Sequence, residues 1–161
     1  MNLAAFYLEQ IIIMDNGECY LGIDIGGTNL RAGLCSQNDV LTYEFSEKTP
    51  KDLKNFFTKI KEIVSEAESF SRHKNLKIKA AGLGIPGLVD YQKQKIIYCP
   101  NLKFLNNLGV EEFSPEIPIF LGNDVDLALL GEEWQGRIKE NSFAYLALGT
   151  GLGGAFKIND V

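Results

Sequence analysis

Apolar and polar positions alternate most cleanly near the start of the chain. Leu21, Ile23 and Ile25 fall on one strand face, Gly22 and Asp24 on the other. The run stops at Gly26-Gly27-Thr28 and resumes through Leu30 to Leu34, which predicts a hairpin over Tyr20 to Cys35. After a turn at Ser36 to Asp39, Val40 to Phe45 predicts a third antiparallel strand. The period then changes. Leu53, Phe56, Phe57, Ile60, Ile63, Val64 and Ala67 recur at helical spacing and make one apolar stripe, read as core. Thr49 is the expected N-cap of this helix, with Pro50 at its first position and Asp52 where a capping carboxylate sits. Leu76 to Gly84 reads as a strand leading into the turn Gly84 to Gly87. Lys95 to Tyr98 is short and extended, and Ile117 to Leu121 is another strand. Gly122-Asn123-Asp124 breaks that strand and opens a helix from Val125 to about Gln135, stopped by Gly136. Phe143 to Leu148 and Ala155 to Ile158 flank a second glycine turn, Gly149 to Gly154.

The resulting order is three strands, helix, strand, helix, strand, helix, then a new pair of strands. It predicts an α/β domain of the ribonuclease H type, a mixed sheet with helices, followed by the first strands of a second such domain. Residues 1–19 read as an N-terminal extension, 20–122 as the first domain and 123–161 as the start of a truncated second one. The 161 residues, 45% hydrophobic, suffice for one domain or one plus part of another. The apolar stretch Leu3 to Met14 is interrupted by Glu9 and Gln10 and is too short to span a bilayer. No membrane association is expected.

Charge narrows the partners. A net charge of -5 argues against nucleic acid held by charge alone, so no nucleic-acid partner is expected. The basic stretch Arg72 to Lys79 reads as a solvated helix end and strand entry, with His73 a surface histidine. Cys19, Cys35 and Cys99 are isolated, show no metal-ligand spacing and suit reduced thiols in a cytoplasmic protein. Phe104 and Trp134 read as packing residues.

The candidate chemistry lies in the turns. The Gly26-Gly27 pair permits backbone angles closed to other residues and lets amides approach an anion. Thr28 adds a hydroxyl, and Asp24 can hold a hydrated divalent cation. This combination suits a nucleotide phosphate tail with its magnesium. The second turn, with Thr150 and Gly151, repeats the design as a weak internal repeat, and two facing hairpins would grip a phosphate chain from both sides. Gly82-Gly84-Gly87 and Gly149-Gly151-Gly154 match the dinucleotide spacing only formally, since neither opens a helix. No Gly-Lys-Ser/Thr loop occurs. Asp124 opens a helix whose amides face its carboxylate, which favours the ionised form and suits a general base. Locally, a plain N-cap is the competing reading of Asp124.

Five segments in one order carry a family resemblance. Asp24 to Arg31 resembles the first phosphate motif of the ROK (repressor, open reading frame, kinase) sugar-kinase family. Gly84-Ile85-Pro86-Gly87 resembles its sugar-side turn and Cys99-Pro100-Asn101-Leu102 its Pro-Asn-Leu contact. Gly122 to Glu132 resembles the catalytic Asn-Asp element and Leu148 to Ala155 the second phosphate motif. The resemblance implies an actin-like ATPase fold of two ribonuclease H-like domains with sugar and ATP between them. Carried over, Asp124 is the general base, and Gly87, Asn101, Asn123 and Asp124 face the hexose. Asp24, Gly26, Gly27, Thr28, Thr150 and Gly151 hold ATP, with Asp24 toward magnesium through water. The family's zinc motif has no counterpart here, and the segment before Cys19 is too short for the winged helix of ROK repressors. Two functions follow: the N-terminal part of a glucokinase-like, ATP-dependent hexose kinase, or a non-catalytic remnant serving sugar binding or dimerisation. On either reading the 161 residues alone are expected to have negligible kinase activity, and the open strand edges of the second hairpin to favour a homodimer.

Overall fold

A computed structural model describes residues 17–36, 40–113, 116–148 and 151–159. The expected extension, apart from its last three residues, and Thr150 lie outside these residues.

Strand β1 (Glu18–Ile25) pairs antiparallel with β2 (Asn29–Cys35), and β2 with β3 (Val40–Lys48). Helix α1 (Leu53–His73) follows and returns the chain to β4 (Lys77–Ile85), parallel to β1. A hairpin of β5 (Leu88–Asp90) and β6 (Lys95–Tyr98) comes next. Then come two short 3-10 turns, Lys103–Leu105 and Val110–Phe113, and β7 (Ile119–Asn123), parallel to β4. The main sheet therefore runs β3-β2-β1-β4-β7. Helix α2 (Asp124–Trp134) leads to a separate antiparallel pair, β8 (Phe143–Leu148) and β9 (Leu152–Lys157). The mixed sheet agrees with expectation, with one difference. No α-helix lies between β4 and β7 among the described residues; the hairpin and 3-10 turns make that connection.

The alternation in β1 sorts its side chains as its period predicts. Leu21, Ile23 and Ile25 are buried with Leu30, Ala32 and Leu34 of β2 and Ala81, Leu83 and Ile85 of β4. On this face lies α1, whose Phe56, Ile60, Ile63, Val64 and Ala67 are buried. Phe56 meets Phe104 and Phe113 edge-on, at 5.8 and 6.2 Å between ring centres. Phe104 is thus a packing residue, whereas Trp134 is 39% exposed. The opposite sheet face carries Gly22, Asp24, Arg31, Gly33 and Gly82, which are exposed or half-buried, and Gly84, which is buried.

Both helix starts differ from expectation. Asp52, and not Thr49, is the N-cap of α1: its carboxylate accepts from the Asn55 amide at 2.9 Å. Pro50 therefore precedes the helix. The Thr49 hydroxyl is engaged elsewhere, donating to the Gly26 carbonyl at 2.7 Å. At α2 the cap is Asn123, whose Oδ1 accepts from the amides of Val125 and Asp126 at 2.9 and 3.1 Å. The helix ends as its glycine predicts. Gly136 adopts φ +68, and the amides of Gly136 and Arg137 return to Glu133 and Glu132, a Schellman closure.

The outer edge of β7 is closed by side chains of the β5–β6 turn. Gln94 Oε1 accepts from the Leu121 amide at 2.7 Å, and its Nε2 donates to the Leu121 carbonyl at 3.4 Å. Tyr91 Oη accepts from the Asn123 amide at 3.0 Å and donates to Asp126 at 2.6 Å.

Candidate active site

Two acidic side chains meet over the open face of the sheet. Register places Asp24 of β1 beside Gly84 of β4, and Gly84 beside Gly122 of β7. Asp124 stands over Gly84. A Cβ at Gly84 would touch the Cα and Cβ of Asp124 at 3.6 and 3.7 Å, so a longer side chain there would push Asp124 away. One strand spacing, about 4.8 Å, separates the Asp24 backbone from that glycine. Both carboxylates line a cleft of about 500 Å³, with Arg31 and Gly82 on the sheet side and Leu127 and Tyr145 on the other.

The electrostatics bear on the chemistry. Burial raises the Asp24 carboxyl above its ordinary value, the Asp124 charge raises it further, and Arg31 opposes both. Arg31 is the cross-strand partner of Asp24. Asp124 is also raised, first by burial and lastly by Asp126, while backbone amides pull it down. The helix amides alone predict a net preference of Asp124 for the charged form. Burial outweighs those amides here. A carboxylate raised in this way is a stronger proton acceptor than an unperturbed one.

Because Asn123 is the cap, the Asp124 side chain is not the one that closes the helix start; its Oδ1 accepts from the adjacent Val125 amide at 3.0 Å. The Nδ2 of Asn123 donates to the Gly87 carbonyl at 2.9 Å, tying α2 to the Gly84–Gly87 turn. Gly87 has no room for a side chain, since a Cβ would run into the Tyr98 carbonyl and lie 3.0 Å from Cys99 Cα. Asn101 is exposed and abuts the first glycine turn: a Cβ on Gly27 would come 3.2 Å from the Asn101 Cβ. Gly26 closes that turn, its amide donating to the Asn29 carbonyl at 2.9 Å. The structure thus brings Asp24, Gly26, Gly27, Thr28, Asn101, Gly87, Asn123 and Asp124 to one end of the sheet. At Gly151 there is open space where a side chain would begin. The second hairpin still faces the first, since Tyr145 and Ala147 of β8 line the cleft.

Sequence reasoning misses four residues here. Arg31 is legible, because a hairpin symmetric about Gly27-Thr28 pairs residues 24 and 31. Thr49 reads as a helix cap and hides its contact with the turn. Lys51 and Tyr91 carry no local signal, as their partners lie 24 to 35 residues away.

A parallel-cored mixed sheet with an open acidic face, joined through a helix to a second glycine hairpin, defines the actin-like ATPase fold of sugar kinases. The chain belongs to the ROK family, whose sequence profile matches residues 20–161. An N-acetyl-D-glucosamine kinase of Shigella flexneri is 29% identical over 145 residues, covering 87% of this chain and 46% of that protein. A xylose repressor of Caldicellulosiruptor bescii is 26% identical over 151 residues, covering 87% of this chain and 36% of the repressor. A ROK family glucokinase of Streptomyces griseus, solved with glucose and AMPPNP, superposes with a TM-score of 0.74. It is 25% identical, with 89% of this chain and 45% of that chain covered. The chain therefore spans under half the length of these relatives, which include both kinases and a repressor. No described helix is long and apolar enough to cross a membrane.

Proposed function

We propose that this chain is the N-terminal portion of an ATP-dependent sugar kinase, transferring the γ-phosphoryl group to a hexose 6-hydroxyl. The observation that carries this reading is the shared cleft of Asp24 and Asp124 beside a glycine turn that touches Asn101. Residues 20–122 form the first domain of the intact kinase in this reading, and 123–161 begin the second.

Asp124 is the general base. The hydroxyl oxygen bonds to the γ-phosphorus as its proton passes to Asp124, and the bond from that phosphorus to the bridging oxygen breaks, the electron pair leaving with ADP. Asn101 and Asn123 orient the hexose, with Gly87 lining its pocket. The amides of Gly27 and Thr28, with Gly26, Thr150 and Gly151, hold the phosphates. Among the described residues no group of three or more His, Cys, Asp or Glu converges as a protein-caged metal needs. Asp24 supplies one carboxylate, which fits a hydrated magnesium that arrives on the nucleotide and keeps most ligands from water and phosphate. When bound, that ion neutralises charge on the phosphates.

The match to the xylose repressor supports a second reading, a sugar-binding module without transfer chemistry. A coupled assay with glucose, N-acetylglucosamine, N-acetylmannosamine and magnesium-ATP separates the two. It is applied to the 161 residues and to a polypeptide extended by a full second domain. The extended protein is expected to turn over and to lose activity on Asp124→Ala, while the 161 residues alone show negligible rate, since half a cleft contacts the phosphates from one side and neither aligns them with the hexose nor excludes water. An extended protein that binds hexose by calorimetry but never phosphorylates it would favour the binding module.

A further inference from the structure

Three successive carbonyls of the first glycine turn are each held by a single tripeptide that follows β3. The Thr49 hydroxyl donates to the Gly26 carbonyl at 2.7 Å, and the Thr49 amide to the Thr28 carbonyl at 2.9 Å. The Lys51 ammonium donates to the Gly27 carbonyl at 2.7 Å. Thr49 is only 2% exposed, so its hydroxyl is a buried polar group whose partner is this turn. Lys51 reaches the turn from an exposed position.

Peptide planarity converts these three bonds into a direction. In a trans peptide the carbonyl of one residue and the amide of the next point opposite ways. Fixing the Gly26 and Gly27 carbonyls toward residues 49–51 therefore aims the Gly27 and Thr28 amides away from them. The tripeptide leads into α1, which lies on the Ile23 and Ile25 face, whereas Asp24 projects from the other face. The freed amides are thereby turned off the tripeptide and left available to a ligand on the Asp24 side. An anion site needs this polarity, with N–H groups toward the ligand and carbonyl oxygens, which would repel it, turned back.

We propose that Thr49 is a positioning residue of the phosphate turn, with Lys51 as its second hold, the two together presenting the Gly27 and Thr28 amides to the phosphate chain. This rests on the kinase reading of that turn. The isotopically labelled 161-residue chain, titrated with magnesium-ATP and with inorganic tripolyphosphate, provides the test through its amide NMR spectrum. Gly27 and Thr28 are expected to shift in the wild type. Thr49→Val should weaken the apparent affinity about tenfold, Thr49→Ser should restore it to within about twofold, and Lys51→Met should cost about threefold. Melting curves confirm that each variant is folded. A folded Thr49→Val that binds as tightly as the wild type overturns the positioning role alone. Should Thr49→Val fail to fold, unchanged binding by Lys51→Met overturns it instead. A wild type with no shift at either amide removes the phosphate reading of the turn, and the positioning role with it.

Discussion

Replacing Tyr91 by Phe removes one oxygen and two hydrogen bonds that bracket Asp124. The Asn123 amide loses its acceptor, and Asp126 loses a donor at 2.6 Å. A buried N–H left without a partner costs about 1–3 kcal/mol, and a hydrogen bond to a charged group contributes about 1.5–3 kcal/mol. Both sites are part-buried, so water replaces some of each, and the net loss expected is about 2 kcal/mol. For a chain of this size that corresponds to a fall in Tm of about 4–8 °C. Thermal melting followed by circular dichroism reads the loss, and amide exchange should accelerate at Asn123. A double-mutant cycle with Asp126→Ala isolates the pair, with a coupling of about 1 kcal/mol expected. Tyr98→Phe, on the exposed strand of the same hairpin, should change stability by less than about 0.5 kcal/mol. A drop of under about 1 °C for Tyr91→Phe, or a cycle that closes additively, would refute the reasoning that the phenol clamps the hairpin to α2.

Two further outcomes follow from the site and its surroundings. Because Asp124 is raised in the folded chain, its charge opposes folding above its ordinary value of 3.8, and that penalty fades as the pH falls through the raised value. Asp124→Asn should therefore melt higher than the wild type at pH 7, with the gain vanishing below the ordinary carboxylate range; an equal gain at all pH values would contradict this. On β8–β9, Leu146, Leu148, Leu152 and Phe156 share one exposed face, at 68, 86, 72 and 75% exposure. The 161-residue chain should self-associate through it in sedimentation at high concentration, and Leu148→Lys with Leu152→Lys should leave it monomeric. A wild type that sediments as a monomer throughout would count against the face as a contact.

Features set by local periodicity are legible in the amino-acid sequence. The alternation of Leu21, Ile23 and Ile25 marks the sheet face, the stripe from Phe56 to Ala67 marks α1, and Gly136 marks the end of α2. Asp24 and Asp124 can be singled out because each lies beside a glycine break in an apolar run. What stays hidden depends on long-range competition. Thr49 reads as a cap because threonine before a helix usually caps, yet Asp52 does so and the Thr49 hydroxyl crosses to Gly26. The connection through β5 and β6 lacks a strong apolar period, and its placement comes from Gln94 and Tyr91 bonding to β7. The sign of the Asp124 shift is equally hidden, because burial is a property of the assembled cleft.

The Gln94 amide and the Tyr91 phenol occupy the outward-facing backbone groups of Leu121 and Asn123. At its β7 border the sheet therefore terminates in side chains and has little to offer a passing extended segment, so a newly synthesised chain is protected there from growth into a ribbon of stacked copies. The bare oily side of β8 and β9 has no such cover.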